Sequence, residues 1–296
     1  MSNGGESGGD ESGYRLLVAV GNPDHVEQLM RTARDVAGDR DGEILVCSVV
    51  RQPRVSPVSL YKDEVIKRDY GENEREIVDR AVEMTRGTGV PVTGEVRVGT
   101  DPGKSILRAA RDHDVDAVLL GWRDRSRADF RLGDTVDRVV HRATCDVLVE
   151  KIGDEANGVE SVLVPTTGST HARYAATVAG AIARANDARV EVVHVVAPDG
   201  ERAGSEDVLD STAGDVDGVP VETRVLEHED VADAIVARSS AHDVTVLGAS
   251  RESILEQLVF GAVPQAVGRR ANSTVIMAKR NLGTSRLAQW LRGFAT

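Results

Sequence analysis

The sequence predicts an α/β protein built as two tandem, open, parallel α/β sandwiches of five strands each. The first observation is a repeat. Asp116-Ala117-Val118-Leu119-Leu120-Gly121 and Asp243-Val244-Thr245-Val246-Leu247-Gly248 nearly duplicate one another, and each opens a segment that closes in a short apolar strand, Asp146–Val149 and Thr274–Met277. The second is alternation: short apolar runs take turns with stretches of helical period, the pattern of parallel strands joined by crossover helices. The third is composition. With 41% apolar but only 3% aromatic residues, the chain suits Val, Ile and Leu strands covered by Ala-rich helices, and 296 residues leave room for two cores.

The elements of the first unit follow in order. Leu16 to Val20 is a continuous apolar run of the buried-strand kind. After Gly21-Asn22-Pro23-Asp24, a helical period runs through Val26, Leu29, Met30, Ala33 and Ala37, with Pro23 and Asp24 in the start positions. Ile44 to Val50 reads as the next strand, and Arg51 to Tyr70 as irregular. Ile77, Val78, Ala81 and Val82 mark a second helix that ends at Gly87-Thr88-Gly89. Val90 to Val98 is a strand, Asp101-Pro102 starts a helix through Ile106, Ala109 and Ala110, and Val115 to Leu120 is the fourth strand.

The second unit repeats this order. Its first strand is Val162 to Pro165, its first helix His171 to Ala185, and its second strand Val190 to Val196. The acidic stretch Pro198 to Gly218 has weak helical period, so the second helix is expected to be short or partly disordered. Val219 to Leu226, Val231 to Ser239, Val244 to Gly248, Gly261 to Arg270 and Thr274 to Ala278 restore the pattern. The units therefore span residues 14–152 and 161–280, with a Gly- and acid-bearing linker at 153–160. Residues 1–13, rich in Gly, Ser and acids, read as a disordered leader without a secretion signal. Residues 281–296 read as an amphipathic tail, since Leu287, Trp290, Leu291 and Phe294 fall at i, i+3, i+4 and i+7. That face suits either docking on its own domain or contact with a partner or membrane surface.

Net charge is −12, which repels a nucleic acid backbone, and few rings exist to stack on bases. Positive charge is almost wholly Arg. A salt-adapted, halophilic cytoplasmic surface and an ordinary acidic protein from GC-rich coding both account for this balance. Cys47 and Cys145 lack a C-x-x-C partner and read as buried thiols of a reducing compartment. No apolar run approaches the roughly 18 to 20 residues that span a bilayer.

In each unit a strand ends in Gly, a polar loop follows, and a second Gly precedes a helix. This is how α/β proteins present backbone N–H groups to anions. On Val231-Ala232-Asp233-Ala234-Ile235 through Asp243–Ser250, Phe260-Gly261 and the closing strands, the chain resembles the universal stress protein family, as a tandem over residues 14 to 280. The resemblance implies an adenine nucleotide alpha hydrolase-like sandwich and pairing through the last strand, here as a homodimer or as an intrachain pseudo-dimer of Asp146–Val149 with Thr274–Met277. In one subset of the family it implies ATP held by G-x-x-G, nine residues, then G-[S/T]. Val18-Ala19-Val20-Gly21-Asn22-Pro23 looks like tandem members that accompany or are fused to transporters.

Neither copy matches that loop fully. In the first, Gly121 is in place, Asp124 replaces the second Gly, and Gly133-Asp134 comes one residue early with a carboxylate where a hydroxyl is expected. Asp134 reads as a helix N-cap, and Thr135 is the nearest hydroxyl. In the second, the spacing from Gly248 to Gly261 is kept, but Arg251 replaces the second Gly and Ala262 the hydroxyl. Arg251 is placed either to grip a phosphate bidentately or to pair with Glu252 or Glu256. The family's adenine-side Asp becomes Asn22 in one copy and Thr166 or Thr167 in the other. The candidate ligand contacts are thus Val20, Asn22, Gly121, Arg123, Gly133 and Thr135, then Thr166, Gly248, Ser250, Arg251 and Gly261, for ATP or another adenine nucleotide. Arg123, Arg125, Arg127 and Arg131 form a basic loop around Trp122 and Phe130 that suits an anionic ligand, an acidic partner or plain solvation.

No catalytic constellation assembles. The chain has no G-x-x-x-x-G-K-[ST] and no H-E-x-x-H, the residues around Ser250 are not G-x-S-x-G, and His194 reads as a strand-end residue. The expectation is a non-catalytic, cytoplasmic, regulatory nucleotide- or ligand-binding protein of the stress response. The alternative is an interaction module regulating a membrane transporter of amino-acid permease type, and the least favoured reading is a weak ATP hydrolase.

Overall fold

The computed structural model describes residues 13–52, 63–123, 133–153, 158–198, 200, 202–249 and 260–283. The expected leader at 1–12, the tail from 284, the Arg125 to Arg131 part of the basic loop, and Ser250 and Arg251 lie outside the described residues.

In the first copy, strand β1 (Arg15–Ala19) leads to α1 (Val26–Gly38), β2 (Glu43–Arg51), α2 (Asp63–Tyr70), α3 (Glu72–Met84), β3 (Val92–Gly99), α4 (Pro102–Asp112), β4 (Ala117–Trp122), α5 (Asp134–Arg142) and β5 (Asp146–Lys151). In the second, β6 (Ser161–Pro165) leads to α6 (Thr170–Asn186), β7 (Arg189–Val196), α7 (Ser205–Ala213), β8 (Val221–Glu227), α8 (Val231–Ser239), β9 (Val244–Gly248), α9 (Ala262–Arg270) and β10 (Thr274–Lys279). Residues 63–70 are helical rather than irregular as the sequence suggests, with Ile66 buried at their centre. The acidic stretch of the second copy holds a short helix of nine residues, α7, pinned by buried Leu209 and Thr212.

The two five-stranded sheets are parallel within themselves and join into one ten-stranded sheet ordered β3-β2-β1-β4-β5-β10-β9-β6-β7-β8. The join is an antiparallel ladder that sets Val149 opposite Met277 and Leu148 opposite Ala278. The last-strand pairing is therefore made within the chain. One apolar layer carries Leu16, Val18, Leu29, Val164 and Ile182, and the opposite layer carries Leu17, Ile106, Val118, Val139, Val193 and Ile235. This is the period-2 alternation of strands buried on both faces.

Helix starts repeat between copies. The Asp101 carboxylate accepts the Lys104 N–H at 3.1 Å to cap α4, and Asp230 accepts from Asp233 at 2.8 Å to cap α8. At α5 and α9 the cap position belongs instead to Gly133 and Gly261, with φ of 92° and 90°, a conformation that favours glycine. Asp134 is thus the first helical residue and not the N-cap expected from sequence. Two lysines tie the copies together reciprocally. Lys151, the last residue of β5, donates to the Ala271 carbonyl beyond α9 at 2.7 Å, and Lys279, the last of β10, donates to Val140 in the last turn of α5. Each strand thereby supplies a cation to the negative end of the other copy's helix.

Candidate functional site

In each copy the crossovers reverse direction between the first and fourth strands, and α/β sheets bind ligands at the carboxyl ends of the strands beside such a reversal. In the second copy that place is a cleft of about 480 Å³ above β6, β7 and β9. Its walls are Val193, Val195, Val231, Ile235 and Leu247, and its rim carries Thr167, Ser169, Gly248, Val263 and Pro264. Every described lining residue is uncharged. The first turn of α9 holds no acid and Gly261 adds no side-chain cap, so among the described residues no capping side chain meets the Ala262 and Val263 N–H groups, while Pro264 has none to offer.

Thr166, expected to face a base or ribose, has another role. Its hydroxyl is buried, lies 2.7 Å from that of Thr212 on α7, and accepts the Gly168 N–H at 3.0 Å. It fixes the turn into α6, and the neighbouring exposed Thr167 offers the free hydroxyl. Gly248 is also more than a bare phosphate donor. A Cβ there would lie 2.4 Å from the Ala172 nitrogen, so the strand end abuts the first turn of α6. His194 Nδ1 lies 2.8 Å from the Thr166 carbonyl, which makes it a prop for the same turn.

The first copy keeps the scaffold but changes the chemistry. Val20 is buried and donates its N–H to Cys47 O at 3.0 Å, as Thr166 does to Val193 O at 2.8 Å. The Asn22 side chain caps the turn before α1, accepting from the Asp24 N–H at 3.0 Å, and its amide lies 3.3 Å from His25 Nε2. Gly121 is crowded by Ile152, whose side chain would sit 2.9 Å from an added Cβ. The residue after it is Trp122, where the second copy has Ala249. The indole is 2% exposed and packs towards Gly268 of α9, so a buried ring stands where the other copy has a methyl group. Arg123 is exposed at the end of β4, Gly133 caps α5, and Thr135 is half-buried. Asp134 and Asp137 occupy the first turn of α5, where carboxylates compete with any anion.

Of the sequence candidates, the structure brings Thr166 and Gly248 to one cleft, beside the α9 turn that Gly261 caps. None of the first-copy candidates lines that cleft. The apolar walls were missed. Their available signal was Val231 and Ile235, one helical turn apart directly after the Asp230 cap.

Helix α8, which carries that wall, is anchored below the cleft by a buried carboxylate. Glu191 on β7 accepts from Arg238 Nε at 2.6 Å and Arg224 Nε at 2.8 Å, and lies 2.7 Å from His242 Nε2. Burial raises the Glu191 pKa, but its bonds to Arg238, His242 and Arg224 outweigh that and hold it below the usual value. Burial pushes His242 down, against the pull of Glu191. In the first copy, burial pushes the Cys47 thiol up to about 12 and that of half-buried Cys145 to about 11, so both are poor nucleophiles. Among the described residues no group of three His, Cys, Asp or Glu side chains is placed to hold a metal, and no helix is long and apolar enough to cross a membrane.

Comparison with known proteins agrees with this architecture. The family model described as Universal stress protein family matches residues 14–151 and 158–279. A universal stress protein of Methanothermobacter thermautotrophicus is 22% identical over 139 residues, 45% of this chain and 93% of its own length. Among solved structures, a universal stress protein from Archaeoglobus fulgidus superposes with a TM-score of 0.65 at 20% identity, over 90% of this chain and 98% of that one. The cytoplasmic domain of a prokaryotic cation chloride cotransporter gives 0.58 at 13% identity, over 91% and 96%. At these identities the two superpositions speak to the fold.

Proposed function

Because the chain belongs to the universal stress protein family, with two copies in tandem, we propose that it acts in the cytoplasm by binding one adenine nucleotide in its second copy and regulating through that binding. The observation that carries this is the uncharged cleft of about 480 Å³ at the strand reversal of the second copy, with the bare start of α9 at its mouth. Apolar walls suit the faces of a purine, the exposed Thr167 hydroxyl suits a ribose, and α9 offers the Ala262 and Val263 N–H groups to a phosphate. In the first copy, the Ile152 side chain packed on Gly121 and the acidic first turn of α5 oppose the same ligand.

Non-catalytic action is part of the proposal. The described lining has no titratable side chain to act as acid or base and no Lys or Arg to neutralise a transferring phosphoryl group. Calorimetric titration with AMP, cyclic AMP and ATP tests the reading. It predicts one site per chain, AMP or cyclic AMP bound at least as tightly as ATP, and no phosphate release. Two equal ATP sites, or Mg²⁺-dependent hydrolysis, would overturn it. The transporter-module alternative draws on likeness of fold alone, whereas the nucleotide reading has a cleft of matching chemistry.

A further inference from the structure

A second cavity, of about 710 Å³, lies on the outer flank of the first copy between α2, β3 and α4, away from both strand reversals. Six cations line it, Lys67, Arg97, Lys104, Arg108, Arg111 and Arg142, against three carboxylates, Asp63, Glu95 and Asp101. In a chain of net charge −12, such a local excess of positive charge runs against the field of the whole molecule. We propose that this groove is a binding site for linear oligophosphate.

Two of the carboxylates are already engaged. Glu95 accepts from Arg97 Nε at 2.6 Å, and Arg97 also reaches Asp112 at 2.7 Å, so this arginine is neutralised within the protein. Asp101 caps α4 through one oxygen and pairs with Arg138 at 3.1 Å through the other. Lys67, Lys104, Arg108, Arg111 and Arg142 form no ion pair among the described residues. Lys104, Arg108 and Arg111 stand at i, i+4 and i+7, one stripe of α4 about 10 Å long at 1.5 Å per residue. Like charges at that spacing destabilise a helix, and a multivalent anion laid along the stripe converts the repulsion into attraction.

The chemistry of the lining narrows the ligand. A row of cations matches a row of phosphates, and Arg forks take phosphate oxygens in pairs. Among the described residues no aromatic side chain lines the groove, so bases have no described ring to stack on. A long nucleic acid would also meet the acidic remainder of the surface. The anion can be inorganic oligophosphate or the phosphate tail of a nucleotide.

The test is calorimetry at low ionic strength on the full chain, with sodium tripolyphosphate and with ATP, in an Ala249→Trp background first checked by titration to have lost AMP binding. One tripolyphosphate per chain should bind. Its affinity should fall tenfold or more in Lys104→Gln/Arg108→Gln and stay unchanged in the charge-matched control Arg86→Gln/Arg202→Gln, both with the parental unfolding temperature. ATP binding that is lost in the same groove variant identifies the nucleotide tail as the source, and binding of tripolyphosphate alone identifies the inorganic chain. Absence of tripolyphosphate binding, or equal weakening by both double variants, overturns the site. Neither result bears on the second-copy cleft, because the background is chosen for its loss of AMP binding there.

Discussion

At the scale of residues, two glycine-to-alanine changes separate packing from ligand contact. Gly248→Ala places a methyl group 2.4 Å from the Ala172 nitrogen. Overpacking against backbone should cost about 1–3 kcal/mol, read as a lower urea midpoint without ligand. Gly261→Ala must hold φ near 90°, a conformation that a Cβ disfavours, so its penalty comes from strain. The glycines themselves were legible in the sequence. Their reasons were not, because the neighbours that crowd Gly248 belong to a helix some 76 positions earlier, a contact that only packing creates. The buried Glu191 cluster gives a pH prediction. Glu191 and His242 both have native pKa values below their ordinary ones, so the unfolded chain binds more protons, and stability present at neutral pH is lost as pH falls. The loss should begin below the ordinary histidine value of 6.5 and continue through the carboxylate range. Glu191→Gln should lower stability by about 1–3 kcal/mol, because half-buried Arg238 and buried His242 lose their anion. It should also flatten the acid limb of a thermal unfolding series. A steeper acid limb in that variant would contradict the assignment.

Elements were more legible than residues. Strands closed by Gly and helices opened by Asp101-Pro102 and Asp230 follow from local chemistry, and they fall where the sequence places them. The addition was α2, and α7 was foreseen only as a short or partly disordered helix; both are acid-rich and held by buried side chains such as Ile66 and Leu209 rather than by periodicity. The identity of the Lys151 and Lys279 contacts was also beyond the sequence, since each reaches a helix end some 120 to 139 positions away. Lys279→Ala should remove a charged donor and its packed stem from the last turn of α5. The expected cost is about 1–3 kcal/mol by chemical denaturation. A loss confined to the second copy would argue against the reciprocal cap.

For the whole molecule, the duplication predicted the fold, and the structure shows what it produces: one continuous sheet whose two last strands pair within the chain. Light scattering coupled to gel filtration should therefore return a monomer near 31.6 kDa, because the strand edge that a single-domain member would use for pairing is already occupied. A stable dimer of about twice that mass would show that another surface associates. The asymmetry between the copies, an indole at Trp122 against a methyl group at Ala249, was visible as two letters but had no meaning until the cleft was seen. The central claim is that the strand-reversal cleft of the second copy holds a nucleotide and that of the first copy does not. The direct measurement is a calorimetric titration of AMP into the parent chain and into Ala249→Trp. The account predicts one site per chain in the parent and at least a tenfold loss of affinity in the variant, with secondary structure intact. Two equivalent sites in the parent, or unchanged affinity in the variant, would contradict it.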